Sequence, residues 1–506
     1  MLVKKEVINN PKIGNNAIIL TLSKIITTLI ALVSSMLLSR FRTLEEYGTY
    51  SQLILVINLT TSFFMLGLPN STNYFLGRSD SKEERRHFLS VYYTMNTIMC
   101  FFIGIFLLVM LPLITNYFKN ESIRNFLYIL AILPWTKVII SSISNVLVVY
   151  GQTKKLTLFN ILNALVVVAA ILIVKLLNWS FQVYMFLYML GEMAMTIWVY
   201  LIVIRLERPI RPSINLSTVK NIFRFSIPIG IASLVGTLTL ECDKLVIGKL
   251  FSTETMAIYT NAAKELPFTI IATSLTAVLL PQMSRKLKEN RTIEAVQLWK
   301  TTVELSYIFM SFVVTALIVF APQIMTILYS EKYLPGVNVF RVYSAVLLCR
   351  ITYFGMILNA SGKTKFILFS SIITLITNIA LDILLFNIIG MLGPAVATFI
   401  SIFIALIAQL IATSKLIKIP FSSIFPWKQI LIHSMINLVW GTVVLFVLKL
   451  VKVGTSNRDI ICCFVCGILI IMCYVLIEKN KIIVLWKKLN SASARNEDRM
   501  QVEAEV

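Results

Sequence analysis

Charge is scarce in this sequence. Only 14% of its 506 residues are Asp, Glu, Lys or Arg, against about a quarter in ordinary soluble domains, while 58% are hydrophobic and the mean hydropathy is +0.83. That balance excludes a soluble enzyme or a nucleic-acid-binding domain. Acidic residues are scarcer still, 24 against 46 Lys and Arg, yet the net +22 is spread between apolar runs and not gathered into one patch. Such spacing sets orientation in a membrane; it does not hold a nucleic acid. Histidine occurs twice, at His87 in a basic loop and His433 in an apolar run, so no nucleophile–base set is readable. Four of the seven cysteines, Cys462, Cys463, Cys466 and Cys473, share one apolar run and read as small packing residues, not as a metal site.

Long apolar runs are what the chain has. A bilayer-spanning helix needs about 20 apolar residues, and fourteen runs qualify: 17–39, 49–69, 89–114, 125–149, 156–177, 181–204, 221–242, 257–281, 300–328, 339–360, 366–387, 391–414, 428–449 and 460–478. Connections between them reach at most 19 residues, too short for an extramembrane domain. The first run is followed by Leu38-Ser39-Arg40-Phe41-Arg42 without a small-residue cleavage site, so it reads as a span and not as a signal peptide. The expected fold class is an all-α integral membrane protein.

Thirty Lys and Arg fall on the side of the two termini and twelve on the other, which predicts cytoplasmic termini. The chain also repeats itself. Ser39 through Ser51 aligns with Gly248 through Thr260 at an offset of 209, and Gly151-Gln152-Thr153-Lys154 with Gly362-Lys363-Thr364-Lys365 at 211. Six-span units in one orientation follow, with a transport path expected between them. The expected organisation is a lobe over 1–204, a cytoplasmic linker over 205–220, a second lobe over 221–415, two further spans over 416–478 and a cytoplasmic tail over 479–506.

Four cations lie inside spans: Lys24, Lys137, Lys264 and Arg350. Such residues cost several kcal/mol in lipid and face protein or a watery cavity. Thr21, Lys24, Thr28, Ala31 and Ser35 share a helical face, as do Pro134, Lys137, Ser141, Ser144 and Asn145, and less cleanly Thr260, Lys264, Pro267 and Ser274. Two readings stay open: a cationic, substrate-binding cavity, or ordinary packing faces on which each cation pairs with an acid or snorkels. Acidic partners are available in Glu192, Glu241, Glu265, Glu304 and Asp382. Ser371, Thr374, Asn378 and Asp382 share a face that could hold a coupling proton or sodium ion, and Glu192 lies most nearly at mid-membrane. Gly362-Lys363-Thr364 lacks the second glycine of a phosphate loop, position 357 being Ile, so no ATPase and no nucleotide cofactor is expected.

Several segments resemble the polysaccharide transporters of the multidrug, oligosaccharidyl-lipid and polysaccharide exporter superfamily, in particular O-antigen or capsule repeat-unit flippases. They are Leu38–Phe41 through Glu45–Tyr50, Gly67-Leu68-Pro69-Asn70, Phe225–Pro228 with Asp243–Gly248 and Ile258-Tyr259, and Asn378, Gly390, Gly393 and Ala395–Thr398. The similarity runs over residues 14 to about 415. It implies two six-span lobes around a central cavity and a non-enzymatic flippase for undecaprenyl-pyrophosphate-linked oligosaccharide in the bacterial inner membrane. A polysaccharide polymerase and a chain-length regulator are the partners it suggests. Flippases for peptidoglycan precursor or teichuronic acid share this physics. A multidrug exporter would favour an acidic cavity, and a polymerase would need a larger outer loop than 243–256.

Overall fold

The computed structural model describes residues 11–485, apart from residue 80 and scattered positions between 457 and 475. Those residues are built from helices, with no strand among them. Backbone polar groups satisfied within each segment are what a hydrocarbon environment demands.

Contacts divide the chain into two compact units, Met1–Ala257 and Ile258–Val506. Unit 1 holds α1 (Pro11–Phe41), α2 (Leu44–Met65), α3 (Leu68–Leu76), α4 (Lys82–Val109), α5 (Leu111–Phe118), α6 (Leu127–Val149), α7 (Thr153–Leu176), α8 (Phe181–Leu206) and α9 (Leu216–Leu250). The boundary falls inside α10 (Thr253–Ala262). Unit 2 continues with α11 (Thr269–Lys288), α12 (Thr292–Val319), α13 (Ala321–Tyr329), α14 (Val337–Val346), α15 (Met356–Ala360), α16 (Thr364–Ile389), α17 (Leu392–Ile417), α18 (Phe421–Ile424) and α19 (Trp427–Leu450).

Starts and stops follow local chemistry. Thr43 caps α2 through a capping box, its hydroxyl accepting from the Glu46 amide while the Glu46 carboxylate accepts from the Thr43 amide. Ser81 caps α4 and Asn215 caps α9 in the same manner, each accepting from the amide three residues on. At α6 the buried residues Leu130, Leu133, Ile139, Ile143 and Val146 recur at helical spacing, and α6 packs against α2, α3, α4 and α8 as the centre of unit 1.

Breaks explain why fewer helices span than the runs suggest. Among the described residues ten helices are long and apolar enough to cross a membrane, eleven if α2 and α3 form one span bent by 45°. The runs 257–281 and 339–360 are each interrupted, at residues 263–268 and 347–355; about half of the run 460–478 lies outside the described residues, as do all of 1–10 and 486–506. Fourteen unbroken spans are therefore not found among the described residues. Hydropathy averaging passes over a break of a few residues that backbone geometry does not.

The expected linker 205–220 does not coincide with the division between the units. It is pinned to α4: the Arg85 guanidinium lies 2.8 Å from Glu207, Arg86 donates to the Arg208 carbonyl, and the Ser213 amide donates to Thr94. α9 follows it and packs on α2, α3 and α4. Close backbone approach makes that packing possible, since Gly67, at φ +74°, begins α3 against Gly230 of α9.

Candidate functional site

In unit 1 the mid-span cation Lys137 projects from α6, three residues after Pro134. Its ammonium lies 3.0 Å from the Glu192 carboxylate on α8. The carboxylate side chain is 3% exposed and the lysine 34%, so the anion is sealed in while the cation keeps an open side. Lys137 also stands 5.2 Å from the centre of the Tyr188 ring, one helical turn before Glu192. Tyr184, Tyr188, Tyr50 and Tyr47 continue from there as a chain of ring contacts. The second Glu192 oxygen, Oε2, is buried and has no hydrogen-bond partner among the described residues. One oxygen of this carboxylate is thus held by the lysine and the other is bare.

Unit 2 presents its charges at the breaks. After α10 the chain leaves helical geometry at 263–268, where Pro267 removes an amide donor and biases Leu266 away from the α region. Lys264 and Glu265 sit in this break. After α14 a single tight turn, Leu347–Arg350, opens into non-helical chain before α15. The Arg350 guanidinium reaches across to Glu265 at 2.8 Å, with both side chains partly exposed. Irregular backbone at membrane depth is tolerated where it is buried in protein or lines a watery cavity. A cavity of about 480 Å³ adjoins this break, walled by α11, residues 349–354 and α17.

A third polar cluster joins α16 and α17. Asn378 and Asp382 are fully buried, and the Asn378 amide lies 3.4 Å from Asp382 Oδ1 and 3.3 Å from the Thr398 hydroxyl. Buried Thr374 completes the face on α16, whereas Ser371 is only half-buried. Oxygen ligands of this kind suit a hard cation. Among the described residues no group of three His, Cys, Asp or Glu side chains could hold a metal.

The four expected cations are thus distributed. Lys24 and Lys137 belong to unit 1, and Lys264 and Arg350 to unit 2. Lys24 is exposed on α1, its carbonyl accepting from the Thr27 and Thr28 hydroxyls. Lys137 and Arg350 are each matched by a carboxylate, Glu192 and Glu265, two of the five acids that the sequence offers without distinction. The breaks and the hydroxyl-bearing face of α11 escape a reading of the sequence, although Pro267 and Gly355 mark the broken runs.

A profile of the polysaccharide biosynthesis protein family matches residues 37–338, more than half of the chain. The chain belongs to this family. Over 198 residues it is 27% identical to the capsular polysaccharide biosynthesis protein CapF of Staphylococcus aureus, which is 38% of this chain and 50% of that protein. The match thus spans about half the length of this curated relative. The fold is similar to that of the Lipid II flippase MurJ in its inward closed conformation, with a TM-score of 0.73 at 16% identity over 92% of this chain and all of that one. An inward-facing multidrug resistance transporter of the MOP superfamily aligns at 0.64 and 16% identity over 78% and 94%. The long apolar helices and these neighbours give the chain the fold of a multi-pass membrane transporter.

Proposed function

We propose that the chain is a flippase carrying undecaprenyl-pyrophosphate-linked oligosaccharide repeat units from the cytoplasmic to the outer leaflet of the bacterial inner membrane, by alternating access coupled to H+ or Na+. The observation that carries this reading is Arg350 at the break of an interrupted membrane run, in a chain of the polysaccharide biosynthesis family. A pyrophosphate is at least a dianion, and attraction to a guanidinium is far stronger in a low-dielectric cavity than in water. The lipid tail can stay in the bilayer while the head crosses.

In this reading Lys24, Lys137 and Lys264 extend the cationic route, and Glu192, Asn378 and Asp382 serve ion coupling. The bare Glu192 oxygen supports the proton and the Asn378–Asp382–Thr398 oxygens support sodium. The product would pass to a polysaccharide polymerase and a chain-length regulator, yielding O-antigen in a lipopolysaccharide or a capsule. Both termini are taken as cytoplasmic: phosphatase fusions after Glu121 or Val453 should be active, and those after Leu216, Lys288 or Lys488 inactive.

Purified protein in liposomes with a fluorescent undecaprenyl-pyrophosphate oligosaccharide in one leaflet tests the activity. Translocation should need an imposed proton or sodium gradient and fail with Arg350→Ala. Equal rates in protein-free vesicles would end the proposal. Faster movement of a peptidoglycan-precursor lipid would instead assign the alternative head group.

A further inference from the structure

The cavity beside Arg350 has a composition that the phosphate does not explain. Its volume of about 480 Å³ lies within the roughly 300–1,000 Å³ of small-molecule sites. From α11 come Thr269, Thr273 and Thr276, at spacings of four and three that put them on one face. Gln409 comes from α17 by the same periodicity, together with Ile402, Ala405 and Leu406. Tyr353 comes from the broken segment.

We propose that this cavity is a subsite for a neutral sugar ring of the lipid-linked glycan; the inference deepens the flippase reading and rests on it. Hydrogen-bond bookkeeping favours a polyol. The Thr273 and Thr276 hydroxyls donate to their own helix, at the Ile270 and Ala272 carbonyls, so toward the cavity they act as acceptors for sugar hydroxyls. The Ser370 hydroxyl donates to the Ile367 carbonyl and so accepts from Gln409 Nε2 at 2.9 Å, which assigns the amide and directs its carbonyl oxygen elsewhere. That oxygen lies beside Gly355, where an added Cβ would approach it to 3.2 Å, so the glycine leaves it clear. Tyr353 adds an aromatic ring to the lining, of the kind that packs on the C–H side of a pyranose.

Charge argues the same way. Arg350 is the one charged side chain among the lining residues; it is paired with Glu265, and its remaining donors are those a phosphate takes, so no unmatched charge is left over in the cavity. A second anion or a cation gains little there, while a neutral ring loses nothing. An acyl chain would offer no donor to the Thr273 and Thr276 hydroxyl lone pairs or to the Gln409 carbonyl oxygen, which is unfavourable in an apolar setting.

The test uses the full chain in nanodiscs, with undecaprenyl pyrophosphate and the same lipid bearing one N-acetylglucosamine or one galactose as probes, and the two free sugars. Wild-type protein should bind at least one sugar-bearing lipid about tenfold more tightly than the bare lipid, the scale of one well-made hydrogen bond to a sugar. The near-isosteric Thr273→Val/Thr276→Val variant and, separately, Gln409→Leu should erase that preference while binding of the bare lipid and the melting temperature hold. Equal wild-type affinity for bare and sugar-bearing lipids overturns the subsite and leaves the flippase reading intact. Binding of a free sugar, lost in the variants, without binding of either lipid supports the subsite and removes the flippase reading. No binding of any probe overturns both.

Discussion

Glu265 and Arg350 face each other at 2.8 Å from two different helix breaks in unit 2, one after α10 and one after α14. Neither side chain projects from a continuous helix, so the pair joins two segments that the backbone ladder leaves loose. Both are between a fifth and a third exposed, a setting in which an ion pair adds little stability. A phosphate arriving at this point would find a guanidinium with donors to spare, because Arg carries five N–H groups and one carboxylate oxygen occupies few of them.

Arg350→Ala is therefore expected to abolish surface polysaccharide while the protein level in the membrane stays normal. Arg350→Lys should retain part of the function, since charge survives and the planar fork does not. Immunoblotting beside complementation reads both quantities. Full polysaccharide from Arg350→Ala would remove this residue from the substrate path.

The Lys137–Glu192 pair differs because its acid is sealed in. Lys137→Met should leave a buried carboxylate uncompensated and cost about 1–3 kcal/mol, less than the roughly 3–5 kcal/mol of a fully buried pair because the lysine keeps one open side. Adding Glu192→Gln should restore the melting temperature. If the single variant is as stable as wild type, the pair is not a stabilising unit and a substrate role for Lys137 gains weight. A stable double variant that transports nothing would assign the charges to function.

Much of this fold is legible in the sequence. Runs of 20 or more apolar residues leave no alternative to helices in a bilayer, and caps such as Thr43 with Glu46 mark where they begin. The unusual residues are legible as well, because a cation inside an apolar run stands out against its neighbours. Their partners are not. Lys137 and Glu192 are 55 positions apart, and only the packing of α6 on α8 chooses Glu192 over the other acids. The breaks at 263–268 and 347–355 are hidden for another reason: Pro267 and Gly355 are tolerated inside many membrane helices, so their presence does not by itself end one.

Gly230 offers a steric test of how α9 sits on the α2–α3 bend. A Cβ built there would stand 2.0 Å from the Leu66 carbonyl carbon, a backbone atom that cannot swing aside. In an open helix Gly→Ala gains about 0.5–1 kcal/mol from lost chain entropy. Here overpacking of about 1–3 kcal/mol or more should win, so Gly230→Ala is expected to lower the melting temperature. Gly236 is the control, with nothing within 4 Å of its would-be Cβ, and Gly236→Ala should be neutral or slightly stabilising. Equal behaviour of the two variants would contradict the α9 placement.

Acid should loosen unit 1 where α4 begins and α6 and α8 end. Glu207 receives hydrogen bonds at 2.8 Å from both Arg85 and the Tyr150 hydroxyl. Burial alone would raise its pKa, but these donors and the charges of Arg85 and Lys82 outweigh burial and hold the carboxyl below its ordinary value of 4.5. A carboxyl with a depressed pKa in the folded state contributes stability above its unfolded value, and that contribution is lost as pH falls through the folded one. Thermal stability should accordingly decline as pH drops below about 4.5, more steeply in wild type than in Glu207→Gln, whose neutral amide cannot titrate. Hydrogen exchange should show the opening first at residues 85, 150 and 207–213, because Arg86 and Thr94 tie the following linker to the same end of α4. Parallel acid profiles for wild type and Glu207→Gln would show that the carboxylate does not govern this junction.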